Sequence, residues 1–214
     1  MSGKYIVIEG PDGTGKTTQA QLLVKKLNEQ GISSCYVHEP GETPMGLELE
    51  KIIKNRTLER SPSTDLLLFT ANRLEVYRQV IHPALSAGKV VVADRNWLSS
   101  VAYQGVAGGL GIDVVQSVTK TWLPAEYINP TFTALLYAPE DQHQQMLGKR
   151  GTSQQDYFES KPDEFQQLLN AGYKDAAQLI THQLDSTCAS ISAGGTIEQV
   201  HDRIIEVLQN ASIM

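Results

Sequence analysis

Between an apolar run from Tyr5 to Glu9 and an amphipathic stretch opening at Thr17, the chain reads Gly10-Pro11-Asp12-Gly13-Thr14-Gly15-Lys16-Thr17. This matches G-x-x-x-x-G-K-[ST] at every fixed position, and the pattern works only with a strand behind it and a helix ahead. Glycines let such a loop wrap a polyphosphate closely, backbone N–H groups turn inward, and the helix N-terminus adds positive potential. Lys16 would reach the β- and γ-phosphates and the Thr17 hydroxyl would ligate Mg²⁺, with Gly10, Asp12, Gly13, Thr14, Gly15 and Thr18 completing the cradle. At average residue frequencies the bare pattern should arise by chance in roughly one chain in a hundred of this length.

The rest of the chain has the matching rhythm. Short β-branched runs at Tyr5–Glu9, Ser34–His38, Val90–Asp94, Thr133–Ala138 and Thr187–Ile191 alternate with helix-periodic stretches. The latter fall at Thr17–Gln30, Met45–Lys54, Thr64–Ser86, Ile112–Thr121, Glu140–Leu147, Asp163–Thr181 and Ile197–Gln209. That alternation predicts an α/β fold, a five-stranded parallel sheet with helices on both faces. Without a repeat or a Pro/Ser-rich linker, residues 1–214 are expected to form a single domain. Two segments break the order: Gly105–Gly111, with four glycines, and Lys149–Lys161, which is polar and lies where a lid would lie.

Charge narrows the partners. With 18 Lys+Arg against 24 Asp+Glu, the formal balance is −6, which disfavours a general nucleic-acid binder. No run approaches the roughly 18 apolar residues of a membrane span, and MSGKYIVIEG contains no signal-peptide core, so a cytoplasmic protein without membrane association is expected. Cys35 and Cys188 read as small buried hydrophobes, and the five histidines have no metal-ligand spacing.

Two further sets of residues carry chemistry. Val90–Arg95 is an apolar strand ending in an acid and a base; at the carboxyl edge of a parallel sheet Asp94 could hold a Mg²⁺-bound water and Arg95 could clamp a second phosphate. Glu39, in the polar turn His38–Thr43, ends another strand at the same crevice. Phe69 and Arg73 are four apart, and Ser100, Tyr103 and Gln104 have i, i+3, i+4 spacing, so each set shares a helix face. A stacking ring with edge donors and acceptors suits a pyrimidine base, while an ordinary core Phe beside a solvated Arg is the plainer alternative.

Together EGPDGTGKTTQ, EPGETPMG, LLLFTANR, VVVADR and SSVAYQG resemble the thymidylate kinase family over most of the chain. The resemblance implies a P-loop NTPase fold and transfer of phosphate from ATP to dTMP with Mg²⁺, in dTTP synthesis, in a homodimer. It implies that Phe69 stacks on the base, that Arg73, Ser100 and Gln104 contact it, and that Arg95 binds the monophosphate. Tyr103 would pack under the sugar, Asp12 would lie near its 3′-hydroxyl, and Glu39 would face the site.

The departures are as informative. His38-Glu39-Pro40-Gly41-Glu42-Thr43 stands where the bacterial pattern is Arg-Glu-Pro-Gly-Gly-Thr, Glu50 and Tyr157 occupy positions where arginines are common, and Gly13 stands where some eukaryotic relatives carry one. Arg150, beside Lys149 at the start of the lid, is the expected replacement at the transferring phosphate, with a solvated arginine or one that stacks on adenine as the alternatives. Another pyrimidine nucleotide or a nucleoside as acceptor, or a nucleotide-binding module with weak turnover, are the alternatives.

Overall fold

The computed structural model describes residues 3–138, 157–158, 160–183 and 186–214. In strand β1 (Lys4–Glu9) Tyr5 and Val7 face one layer while Ile6 and Ile8 face the other, and all four are buried. A strand apolar on both faces belongs in the middle of a covered parallel sheet. It lies there: β2 (Ser34–His38), β3 (Val90–Asp94), β1, β4 (Phe132–Tyr137) and β5 (Thr187–Ser192) are ordered β2-β3-β1-β4-β5, every pair parallel. Ile8 is in register with Asp94, and Glu9 with Leu135. The carboxyl ends of β1 and β3 therefore open side by side.

Helices cover both faces. On the Ile6/Ile8 side lie α1 (Lys16–Glu29), through Ala20, Leu23 and Leu27, and α9 (Ile197–Asn210), through Val200, Ile204 and Leu208. On the Tyr5/Val7 side pack α3 (Pro62–Val76), α6 (Ile112–Trp122), the short α7 (Ala125–Ile128) and α8 (Asp163–Gln183). Helix α2 (Pro44–Lys54), capped by the Thr43 hydroxyl, leans on α3.

The strands sit within one residue of the sequence expectation at each end; two helical readings need correction. The stretch read as one helix from Thr64 to Ser86 starts at Pro62 and is divided into α3, a π-turn at Tyr77–Ile81, and α4 (His82–Ser86). Pro83 explains the division, because its ring would clash with the carbonyl four residues back in a regular α-helix and it has no N–H to donate. The glycine-rich segment expected to be irregular from Gly105 is helical at its start. The helix α5 (Leu98–Ser100) runs straight into a π-helical turn, Val101–Ala107. The helix expected at Glu140–Leu147, with Lys149 and Arg150, lies outside the described residues. Cys35 and Cys188 are free thiols at the margin of the core, only partly buried. Among the described residues no helix is long and apolar enough to cross a membrane.

Candidate active site

At the carboxyl edge of the sheet a cavity of about 300 Å³ opens between the loop after β1, the ends of β2 and β3, and helices α2, α3 and α5. Asp12, Gly13, Gly15, Lys16, Thr17 and Thr18 line one side; Phe69, Arg73, Ser100, Tyr103 and Gln104 line the other; Glu39, Asp94 and Arg95 lie between. Of the residues the sequence singled out, Gly10 and Thr14 do not line it. Gly10 is needed for close approach, since a Cβ there would lie 2.3 Å from the Leu136 carbonyl oxygen. Thr14 braces the loop from inside, its hydroxyl donating to the Pro11 carbonyl at 2.9 Å. Gly15 supplies the left-handed backbone (φ 84) from which α1 starts.

Lys16 Nζ donates to the Pro11 carbonyl at 2.8 Å and lies 3.8 Å from the Asp12 carboxylate. Burial, and after it the Arg95 charge, bring its pKa down to about 8, against the pull of Asp12, Asp94 and Glu9. The Thr17 hydroxyl donates to Asp94 Oδ2 at 2.5 Å, and the Tyr36 phenol approaches the same oxygen at 3.4 Å. Asp94 Oδ1 is buried without a partner. A hydroxyl bound to a carboxylate with one free oxygen, beside a phosphate loop, suits Mg²⁺, which keeps several waters and takes few protein ligands.

Arg95 sits at φ 76, in the left-handed region that non-glycine residues enter at a cost of about 1–3 kcal/mol. Its surroundings fix it there. The backbone N–H donates to the Ile8 carbonyl at 3.0 Å; Nη1 donates to Tyr173 Oη at 2.7 Å and Ser99 Oγ at 2.9 Å, and Nη2 pairs with Asp12. The Tyr103 phenol donates to the other Asp12 oxygen at 2.6 Å. Asp12 thus ties the phosphate loop to the strand-end arginine and to the tyrosine of the opposite wall. The open clamp expected of Arg95 is, in this arrangement, engaged by a carboxylate.

Arg73 is buried; its Nε donates to Glu39 at 3.2 Å, one Nη to Ser100 Oγ at 2.7 Å and the other to the Asn96 carbonyl at 3.0 Å. Its guanidinium carbon is 5.2 Å from the Phe69 ring centroid, so the shared helix face read from the sequence is real. Burial raises Glu39 to about pH 7, opposed by Arg73 and by the Tyr127 phenol, which donates to both its oxygens at 2.7 and 2.8 Å. Gln104 has both amide atoms buried and unpartnered beside these groups. That is a donor and an acceptor held ready for a flat polar edge.

Several residues of this site escaped the sequence reading. Glu9 is fully buried and accepts from the backbone N–H of Asn96 at 2.8 Å and of Ser99 at 3.1 Å, and from the Ser99 hydroxyl. Phe158 completes the wall, and Tyr173, from α8, holds Arg95 from outside the cavity. Lys54, at the end of α2, also lines the cavity, its Nζ 2.5 Å from Glu50. The His38–Glu42 pair (2.5 Å) sits at the mouth; burial alone would raise the Glu42 carboxyl, but its hydrogen bonds with His38 hold it low.

A sequence model of the thymidylate kinase family matches residues 8–204. The chain belongs to the thymidylate kinase family. Among similar members, the thymidylate kinase of Caldicellulosiruptor saccharolyticus is 32% identical over 98% of both chains. That of Chlamydia muridarum is 37% identical over 81% of this chain and 85% of its own. The crystal structure of the thymidylate kinase from Ehrlichia chaffeensis superposes with a TM-score of 0.76, at 26% identity, over 98% of this chain and 100% of that one. Thymidylate kinases are nucleoside monophosphate kinases, P-loop α/β phosphotransferases with ATP as the general donor, and the parallel sheet described above is that fold.

Proposed function

We propose that the chain phosphorylates dTMP to dTDP with ATP and Mg²⁺. The observation that carries this reading is the single cavity into which the phosphate loop, the Asp94–Arg95 strand end and the Phe69/Arg73/Gln104 wall all open. Donor and acceptor phosphates can then meet between Lys16 and Arg95. Phosphoryl transfer needs positioning and charge neutralisation rather than a covalent intermediate. Lys16 holds the β- and γ-phosphates; Arg95 exchanges Asp12 for the acceptor phosphate. Released from Arg95, Asp12 keeps its bond to Tyr103 and faces the sugar 3′-hydroxyl, while the Tyr103 ring fills the space a 2′-hydroxyl would need. Phe69 stacks on thymine, and Arg73, Ser100 and Gln104 address its edge. Thr17 and Asp94 would hold Mg²⁺, which when bound would neutralise charge on the donor phosphates.

Arg150 and Lys149, with the lid at about residues 149–161, keep the role of charge donors at the transferring group in this reading, and Glu39 holds Arg73 in its plane. Lys54, paired with Glu50, offsets the carboxylate that stands where relatives carry an arginine. A single-domain, cytoplasmic homodimer is the accompanying proposal; exposed Leu67 and Trp122 on the adjacent helices α3 and α6 support the dimer.

A coupled ADP-release assay across dTMP, dUMP, dCMP and thymidine tests the function. Preference for dTMP supports it; turnover confined to thymidine, or none with any acceptor, overturns it. Arg150→Ala tests the lid: kcat should fall far more than either KM rises, whereas an unchanged kcat removes Arg150 from the transition state.

A further inference from the structure

Tyr157 occupies a position where the family commonly has an arginine, and it does not line the cavity; Phe158, the next residue, does. Both are buried, although they lie in a polar turn. The Arg60 guanidinium carbon lies 4.2 Å from the Tyr157 ring centroid, and Lys161 Nζ lies 4.2 Å from that centroid while donating to the phenol oxygen at 2.8 Å. Two cations thus grip one ring, and such contacts strengthen as they are withdrawn from water.

Arg60 cannot move away. Its Nε donates to Asp65 on α3 at 2.7 Å, and its Nη atoms donate to the carbonyls of Ile52, Ile53, Asn55 and Leu58 at the end of α2. Ile52, Ile53 and Asn55 close α2 and Leu58 lies in the turn after it, so the guanidinium caps α2 and commits Nε and both Nη atoms to the fold. What it leaves available is its flat face, and Tyr157 covers that face.

The consequence falls on Phe158. Its ring is edge-on to Tyr157 at 5.0 Å and to Tyr103 at 5.3 Å, and 5.8 Å from Phe69. Phe69, Tyr103 and Phe158 together form the apolar wall of the acceptor side of the cavity. We propose that Tyr157 is a positioning residue: clamped between Arg60 and Lys161, it fixes Phe158 as the wall that confines a single-ring base against Phe69. The proposal rests on the acceptor reading above and goes beyond it, by tying base selectivity to a residue that never touches the acceptor.

Kinetics on the full-length protein test it. Tyr157→Ala and Phe158→Ala should each raise KM for dTMP by about tenfold, the loss of roughly one good contact, with KM for ATP and kcat little changed. Tyr157→Phe, which keeps the ring between the cations, should stay near wild type. Because both residues act through one wall, Tyr157→Ala combined with Phe158→Ala should cost little more than either alone. Multiplicative effects, or a parallel rise of KM for ATP, overturn the proposal. The clamp has its own readout, independent of turnover. In a Phe158→Trp background the added indole should be shielded from iodide, and Tyr157→Ala should expose it. Unchanged quenching overturns the clamp. If wild type neither binds nor phosphorylates dTMP while this exposure still occurs, it is the proposed function that fails and the clamp that stands.

Discussion

Lys16 carries a charge that depends on its surroundings. Protonated, it serves the donor phosphates; its pKa of about 8 places the change within the working range of an assay. Since burial lowers it, the charged form is complete below that value and lost above it, so kcat/KM for ATP should decline on the alkaline side of about pH 8. Lys16→Ala should abolish this limb together with turnover, yet leave dTMP binding measurable by calorimetry, because the acceptor side is built from other elements. Arg73 poses a different problem. Its removal orphans Glu39 at full burial, and breaking such a pair costs about 3–5 kcal/mol. Arg73→Ala should therefore lower the melting temperature as well as raise KM for dTMP, and Glu39→Gln should recover part of the stability. Without the guanidinium the carboxyl would titrate still higher than about 7; protonation then favours the folded state, so the deficit of Arg73→Ala relative to wild type should shrink between pH 8 and pH 6. The shared face of Phe69 and Arg73 was legible in the sequence because their spacing is local, but spacing alone left a core ring beside a solvated charge as the plainer alternative, and the family resemblance pointed them to a site. Glu9 was not: an acid after an apolar run reads as a strand end, and its partners Asn96 and Ser99 come some ninety residues later.

The contact between α8 and the π-helical turn at Val101–Ala107 decides whether Tyr173 meets Arg95. Gly172 permits it, since a Cβ there would lie 2.6 Å from Ala102 Cα. A backbone atom cannot swing aside, so Gly172→Ala should force the helices apart and cost about 1–3 kcal/mol. It should also weaken dTMP binding more than ATP binding, because Tyr173 and Ser99 hold Arg95 for the acceptor phosphate; equal losses for both would indicate general loosening. The strands were readable from the sequence almost to the residue, as apolar runs bounded by turn residues leave little choice. The π-turns were not, because a widened turn of five to seven residues keeps neighbours three and four apart on nearly the same side. Ser100, Tyr103 and Gln104 accordingly reach the cavity together, although the helix bearing them is not a regular α-helix.

Taken whole, the molecule draws its acceptor site from segments scattered along the chain, so ligand binding should be felt as global stability. At a hundred times its dissociation constant dTMP should add about 2.7 kcal/mol, raising the melting temperature by roughly 5–10 °C. Thymidine at the same concentration should add much less if Arg95 carries the phosphate; equal shifts would remove Arg95 from that role. The sheet order β2-β3-β1-β4-β5 has a further consequence, in time rather than space. The central strand leaves the ribosome first, but the strand that closes its second edge, beginning at Phe132, is made on the order of a hundred residues later. At about 5–20 residues per second that is a wait of roughly 6–25 seconds. Throughout it Tyr-Ile-Val-Ile, apolar on both faces, presents an unpaired edge of the kind that recruits other chains. Nascent chains arrested before Phe132 should therefore depend on chaperones for solubility, and the whole sequence followed by a linker long enough to carry all five strands and α9 out of the exit tunnel should not.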